Sequence, residues 1–204
     1  ANVGMGQNGD TYLYNNPRAV HGGVMRQGWY VVPCCPSNLS RTFADLGKYI
    51  YSHEENDIWI HQYISSETTI NKAKIKIESE LPWGGKVKIH VKPETHKGLT
   101  IHLRKPSWQE SSSNESTAAG YDPRTAWYEP ITRVWSADGE TLEYNFGISI
   151  QLRRAHPKVQ GHAGKVAVTR GPLVYCLENV DNPSVDIFTA RLDPSSLHDE
   201  FIPD

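Results

Sequence analysis

Hydrophobic positions change their period once along this chain. Leu39, Phe43, Leu46 and Ile50 lie at i, i+4, i+7 and i+11, one stripe of a 3.6-residue repeat. That stripe predicts an amphipathic helix ending near Ser52. Pro36 suits its first turn, and Ser37 or Asn38 can cap exposed N–H groups. Gly47 weakens the pattern by roughly 1 kcal/mol relative to alanine, which points to a close packing contact there. Beyond the charged run His53-Glu54-Glu55-Asn56-Asp57 the period becomes 2. Ile58–Ile64 reads as a strand, and Ala73–Glu78 and Lys86–Val91 alternate strictly around Pro82-Trp83-Gly84-Gly85. The last two predict a hairpin with one buried and one solvated face.

Leu99–Arg104 continues the series and is closed by Pro106. Gln109–Gly120 contains four serines and reads as a flexible loop. Further strands are predicted at Tyr128–Val134, Thr141–Asn145, Ile148–Arg153, Val166–Thr169 and Leu173–Leu177, with Asp138-Gly139-Glu140 as a hairpin turn. Many short strands separated by turns predict an antiparallel β-sandwich. The first 33 residues show no long periodic segment. Asn8-Gly9-Asp10 marks a turn, Thr11–Tyr14 a short strand, and His21-Gly22-Gly23 a loop. The tail from Leu192 to Phe201 reads as the opening of a further element.

Composition narrows the function classes. Of 204 residues 38% are hydrophobic and 22% charged, with a net charge of −2, so neither nucleic acid nor an anionic membrane is an expected partner. No apolar run approaches the roughly 20 residues that span a bilayer, and no signal-peptide pattern opens the chain. The expectation is a soluble protein, cytoplasmic or secreted.

Three cysteines are too few, and the wrong parity, for a disulfide scaffold. Cys176 sits in an apolar strand and reads as core. Cys34 and Cys35 are different: they lie in Pro33-Cys34-Cys35-Pro36-Ser37-Asn38, directly before the helical pattern. A helix N-terminus presents unpaired N–H groups and partial positive charge, which favour thiolate over thiol. Thiolates are nucleophiles and zinc ligands, whereas most free cysteines are small buried apolar residues. Both readings stay open on these residues alone.

Nine histidines show no fixed ligand spacing; His21, His53 and His61 form no metal motif, and strand residues such as His90 and His102 read as solvent-facing. Trp59, Trp83, Trp108 and Trp135 lie in or beside strands and read as core or sandwich-edge packing. Asn38-Leu39-Ser40 and Asn114-Glu115-Ser116 fit the glycosylation acceptor pattern, the first as a chance match.

From Gly28 to Ser52 the sequence resembles glycoside hydrolase family 127, the β-L-arabinofuranosidases, whose hallmark is an aromatic residue, a Cys-Cys-Pro-Pro-Asn run and a following helix. Here Pro36-Ser37 replaces Pro-Pro, and Val32 stands where many members have another cysteine. The likeness continues through Trp83-Gly84-Gly85-Lys86-Val87, Leu103-Arg104-Lys105-Pro106-Ser107-Trp108 and Gly164–Glu178, in the family's order.

The resemblance implies a chain that begins near the end of an (α/α)6 barrel and stops early in a later β element. It divides the chain into residues 1–53 with the Cys-Cys loop and last barrel helix, 54–183 as β-sandwich, and 184–204 opening a further β element. It implies Cys34 as nucleophile and zinc ligand, Cys35 as a second zinc ligand, and Tyr14 as a sugar contact. The remaining ligands would come from an upstream Glu-x-Cys segment, a pattern this sequence lacks. The acid/base glutamate is also expected upstream. The implied partners are arabinose-containing plant glycans and the N-terminal barrel, with a homodimer left open. A rival reading makes the chain a non-catalytic β-sandwich module for folding, oligomerisation or glycan binding, and a second enzyme reading keeps the scaffold but changes the sugar.

Overall fold

A computed structural model describes residues 4–15, 19–94, 97–109, 127–179, 181–200 and 202. The serine-rich loop from 110 onward, with Asn114, lies outside the described residues. Backbone contacts divide the chain into two units, Ala1–Ser52 and His53–Asp204.

In the first unit, helix α1 runs from Cys34 to Ala44, and a 3-10 turn follows at Leu46–Tyr49. The helix therefore starts earlier and ends earlier than the apolar stripe predicts, and both cysteines lie inside its first turn. Neither Ser37 nor Asn38 caps it; the N-cap position is Pro33, which has no side-chain donor or acceptor. Asn38 instead accepts from the Arg41 guanidinium at 2.8 Å. The predicted contact at Gly47 is also absent, since a Cβ there would meet nothing within 4 Å. The predicted strand Thr11–Tyr14 shrinks to single bridges, Tyr12 pairing with Met5 and with Gln27.

The second unit is built from strands. The division between units falls within β1 (Tyr51–Glu54), which the sequence reading missed because it extended the helix to Ser52. There follow β2 (Asp57–Ile60), β3 (Ser66–Ile70), β4 (Ala73–Ser79), β5 (Lys86–Pro93), β6 (Lys97–Arg104), β7 (Tyr128–Trp135) and β8 (Glu140–Asn145). They form two four-stranded sheets, β1-β2-β6-β7 and β3-β4-β5-β8. A three-stranded sheet, β11-β10-β9, completes the set, with β9 Ile150–Arg154, β10 Val166–Arg170 and β11 Leu173–Val174.

Strict alternation decides which faces close the core. Ala73, Ile75 and Ile77 of β4 and Val87, Ile89 and Val91 of β5 are buried, and the lysines and glutamate between them face water. Ile58, Ile60, Leu99, Ile101, Leu103 and Trp135 supply the buried face of the other large sheet. Period 2 sends every second side chain inward, so a one-residue slip would invert both faces. The β3–β4 turn fixes register with Asn71 and Lys72, both at positive φ, between paired Ile70 and Ala73. Gly85 is required by close approach, because a Cβ there would lie 2.0 Å from the Phe146 carbonyl oxygen.

One pairing departs from the predicted antiparallel pattern. β2 and β6 run parallel, with Ile58 opposite Ile101 and Ile60 opposite Leu103. The chain leaves one sheet after β2, builds β3, β4 and β5 of the other, and returns beside β2 in the same direction. The mainly β fold holds; its pairing is mixed. β3 was also missed, because Ser66-Glu67-Thr68-Thr69 is polar and Asn71-Lys72 is a weak turn signal.

Two further expectations fail at the surface. β11 pairs over only two residues, so Cys176 lies beyond it and is exposed rather than core. Trp83 is also exposed, while Trp135 is fully buried. Arg170 does what no sequence pattern announced: its Nε donates to Asp199 Oδ2 at 2.7 Å and its Nη1 to the Trp83 carbonyl at 3.0 Å.

On the solvated face of β4, Glu78 accepts from Lys76 and lies 3.1 Å from His90 Nε2. The Lys76 hydrogen bond first, then that of His90, hold Glu78 down to about 2 against an ordinary 4.5. A depressed folded value means stability present above the unfolded pKa and lost as pH falls through the folded one. Glu78→Gln should therefore flatten the acid limb of the stability curve between about pH 4.5 and about pH 2. Urea midpoints at pH 6, 4 and 3 check this, and an unchanged slope would remove the pair from the acid response.

Candidate functional site

The sharpest chemistry in the first unit gathers at the start of α1. Cys34 and Cys35 occupy its first two positions, where backbone N–H groups lack intrahelical acceptors and the helix dipole is positive. Pro36 follows without an N–H, and the Ser37 N–H is bonded to the Pro33 carbonyl at 3.0 Å. The environment favours negative charge on sulfur.

Aromatic packing brings in a third group from far along the sequence. The Tyr14 N–H donates to the Tyr30 hydroxyl at 3.1 Å, and that hydroxyl donates to the Tyr12 carbonyl at 3.0 Å. The Tyr14 and Tyr30 rings meet edge-on, 5.2 Å between centroids, while Tyr12 meets Trp29 at 5.4 Å. So anchored, the Tyr14 hydroxyl lies 3.1 Å from Cys34 Sγ, and Cys34 Sγ lies 3.7 Å from Cys35 Sγ.

All three predicted site residues thus come together. Tyr30 was missed as their support, because an aromatic residue in a loop carries no signal of the hydrogen bonds it will make. Tyr14 was predicted as a sugar contact. Its geometry adds a second property, a hydroxyl directed at the Cys34 sulfur.

The electrostatics divide the pair. The Tyr14 hydrogen bond, then that from Cys35, hold Cys34 below an ordinary thiol. The bond to Cys34 raises Cys35, and Tyr14 is pushed up to about 12 by its bond to Cys34. Hydrogen bonds donated to an anion favour the anion and make each donor harder to ionise. Of the two sulfurs, Cys34 is the one whose thiolate these contacts favour, with Tyr14 and Cys35 beside it.

A labelling experiment checks that order. At neutral pH Cys34 should react with a thiol reagent before Cys35, and Tyr14→Phe should slow Cys34 by up to about tenfold, the equivalent of one pKa unit. Peptide mapping after brief alkylation reads both. Equal labelling in the two proteins would assign Tyr14 no part in the thiolate.

For a metal, the donor set fits in part. Two thiolates on one tetrahedral zinc, each at about 2.3 Å, lie roughly 3.8 Å apart. The observed separation is 3.7 Å. Among the described residues no group of three or more His, Cys, Asp or Glu side chains converges. The strand histidines have other partners: His61 Nδ1 meets the Tyr128 hydroxyl at 2.6 Å, His90 meets Glu78, and His102 meets Asp57 at 2.6 Å. His102 is also stacked on Trp59, 4.5 Å between centroids, so it is less open to solvent than predicted.

Residues 57–148 match the family model described as beta-L-arabinofuranosidase, GH127 middle domain, and residues 150–203 match the glycoside hydrolase family 127 C-terminal domain. The chain belongs to glycoside hydrolase family 127. It corresponds to a C-terminal portion of that family's proteins. A non-reducing end beta-L-arabinofuranosidase of Bifidobacterium longum subsp. longum is 32% identical over 186 residues, covering 87% of this chain and 28% of the relative. A GH127 beta-L-arabinofuranosidase from Geobacillus stearothermophilus T6 superposes with TM-score 0.74 at 34% identity, covering 88% of this chain and 31% of that one. Another solved GH127 beta-arabinofuranosidase gives TM-score 0.73 at 28% identity, over 87% of this chain and 31% of its own. This family 127 chain thus spans under a third of the length of these relatives. Among the described residues no helix is long and apolar enough to cross a membrane.

Proposed function

We propose that this family 127 chain carries the nucleophile-bearing portion of a retaining glycoside hydrolase that releases terminal β-L-arabinofuranose. The observation that carries this reading is the Cys34 sulfur in the first turn of α1, hydrogen-bonded by Tyr14 at 3.1 Å. A retaining hydrolase needs a nucleophile on one face of the sugar and an acid/base group near the leaving oxygen. Carboxylates usually fill both roles. Here the sulfur of Cys34 attacks the anomeric carbon, the bond to the leaving oxygen breaks, and a thioglycosyl linkage forms. Water then cleaves that linkage and returns the thiolate. An acid/base carboxylate protonates the leaving group in the first step and activates water in the second.

The chain's own residues prepare the first step. The helix N-terminus and the Tyr14 hydroxyl hold the charge on Cys34, and Tyr14 also faces the position of an incoming sugar. Cys34 and Cys35 would hold zinc, which when bound keeps sulfur deprotonated at neutral pH. Two protein ligands fall short of the four a zinc site uses; the resemblance implies that an upstream Glu-x-Cys segment would supply the remainder and an upstream glutamate would be the acid/base group. On this reading the 204-residue chain is inactive alone.

The test uses the full-length protein. Brief exposure to an activated β-L-arabinofuranoside, followed by peptide mass spectrometry, should place one pentosyl adduct on the Cys34 peptide. An adduct on a carboxylate, or turnover with no adduct at any residue, would overturn the nucleophile assignment. Zinc-dependent arabinose release by the isolated chain would overturn its inactivity.

A further inference from the structure

Two segments singled out by the sequence, Leu103–Trp108 and Gly164–Glu178, have no part in the cysteine site, yet they meet on the second unit. Ser107 and Trp108 from one, and Thr169, Gly171, Pro172 and Val174 from the other, line an open depression of about 310 Å³ together with Arg153. The depression spans the boundary between the two family models, with Trp108 on one side and Arg153 on the other. Small-molecule sites favour such junctions, and this volume is at the lower end of their range.

The lining has a definite chemistry. Trp108 is half-buried and packs edge-on against Phe146, 5.7 Å between centroids. No hydrogen-bond partner is found for the Ser107 hydroxyl or the Trp108 indole N–H among the described residues. Arg153 is exposed and uses one guanidinium nitrogen on the Gln151 side chain. The residues lining the depression include one cation and no carboxylate.

An indole favours the C–H face of a sugar ring, free hydroxyl and indole donors favour sugar oxygens, and an unopposed guanidinium favours a carboxylate, which it grips with two parallel N–H bonds. We propose that this depression binds a uronic acid residue of an acidic glycan, the ring against Trp108 and the carboxylate on Arg153. The site uses neither cysteine, so it stands or falls independently of the catalytic reading.

The probes are D-galacturonate and its neutral counterpart D-galactose, titrated into the isotope-labelled 204-residue chain and followed by amide and indole chemical shifts. Galacturonate should saturate with a dissociation constant on the order of 1 mM, at least about fivefold tighter than galactose, and weaken as salt is raised. Its shifts should centre on Trp108, Arg153 and Thr169. Trp108 also packs on Phe146, so the decisive variant is Arg153→Gln at an exposed position. Arg153→Gln should cost about tenfold for galacturonate and leave galactose unchanged. Equal binding of the two sugars, indifference to Arg153→Gln, or no saturable shift at the depression would each overturn the proposal.

Discussion

Cys34→Ala in the full-length enzyme is expected to lower kcat on a β-L-arabinofuranoside by on the order of 10⁴-fold, with the protein still folded. Removing a covalent nucleophile leaves only binding and electrostatic help, and losses of that size are typical when such a group is deleted. Cys35→Ala should be milder on chemistry if its part is only to donate to Cys34 and share its metal. The two variants therefore separate the roles of two adjacent residues. Loss of bound metal with both, but loss of the pentosyl adduct only with Cys34→Ala, is the expected pattern. Comparable activity for Cys34→Ala and the native enzyme would sink the nucleophile and bring forward the rival reading of a non-catalytic β module.

The second large effect concerns stability. Trp135 is fully buried, its Nε1 donates to the Leu99 carbonyl at 3.0 Å, and the Arg133 guanidinium lies 4.2 Å from its ring centroid. Trp135→Ala removes the largest of the fully buried side chains and leaves the space only partly able to collapse, an expected loss of about 3–5 kcal/mol. It also costs the Leu99 carbonyl its indole donor. Trp135→Phe keeps most of the apolar volume and loses the hydrogen bond, so it should cost about 1–2 kcal/mol. Urea unfolding of the three proteins checks the order. Equal losses would mean that the hydrogen bond, not the volume, dominates.

Legibility in the sequence followed periodicity. β4 and β5 alternate without a break from Ala73 to Ser79 and from Lys86 to Pro93, and both were read nearly to their ends. The same rule overextended the helix. Leu46 and Ile50 continue the stripe, but the backbone tightens after Ala44, and Phe43 stays 44% exposed. Periodicity reports which face is apolar, not where the turn geometry changes. It also cannot report pairing direction, which is why the parallel β2–β6 contact was not foreseen.

The site was legible for a different reason. Cys34 and Cys35 declare their chemistry by residue type and by the helix that follows them. Tyr14 came only from the resemblance, since nothing in Tyr12-Leu13-Tyr14 announces a contact with a sulfur twenty residues on. Tyr30 and Arg170 were invisible because their roles lie in long-range hydrogen bonds to backbone carbonyls, Tyr12 for one and Trp83 for the other. Such bonds depend on where a fold brings two segments, and no local pattern encodes that.

The parallel pairing of β2 with β6 also orders the making of the molecule. β3, β4 and β5 are consecutive antiparallel neighbours and can zip together from contiguous sequence. β2 lies beside β1 but must wait for its second neighbour, about forty residues further on, because Asp57 pairs with Thr100. Distant closures carry a larger entropic cost before any contact repays it and slow the search. During synthesis, then, the β3–β5 meander can be complete while Ile58 and Ile60 still lack β6 on their far side. A ribosome paused between β5 and β6 would hold a sheet whose β2 edge, away from β1, is still uncovered.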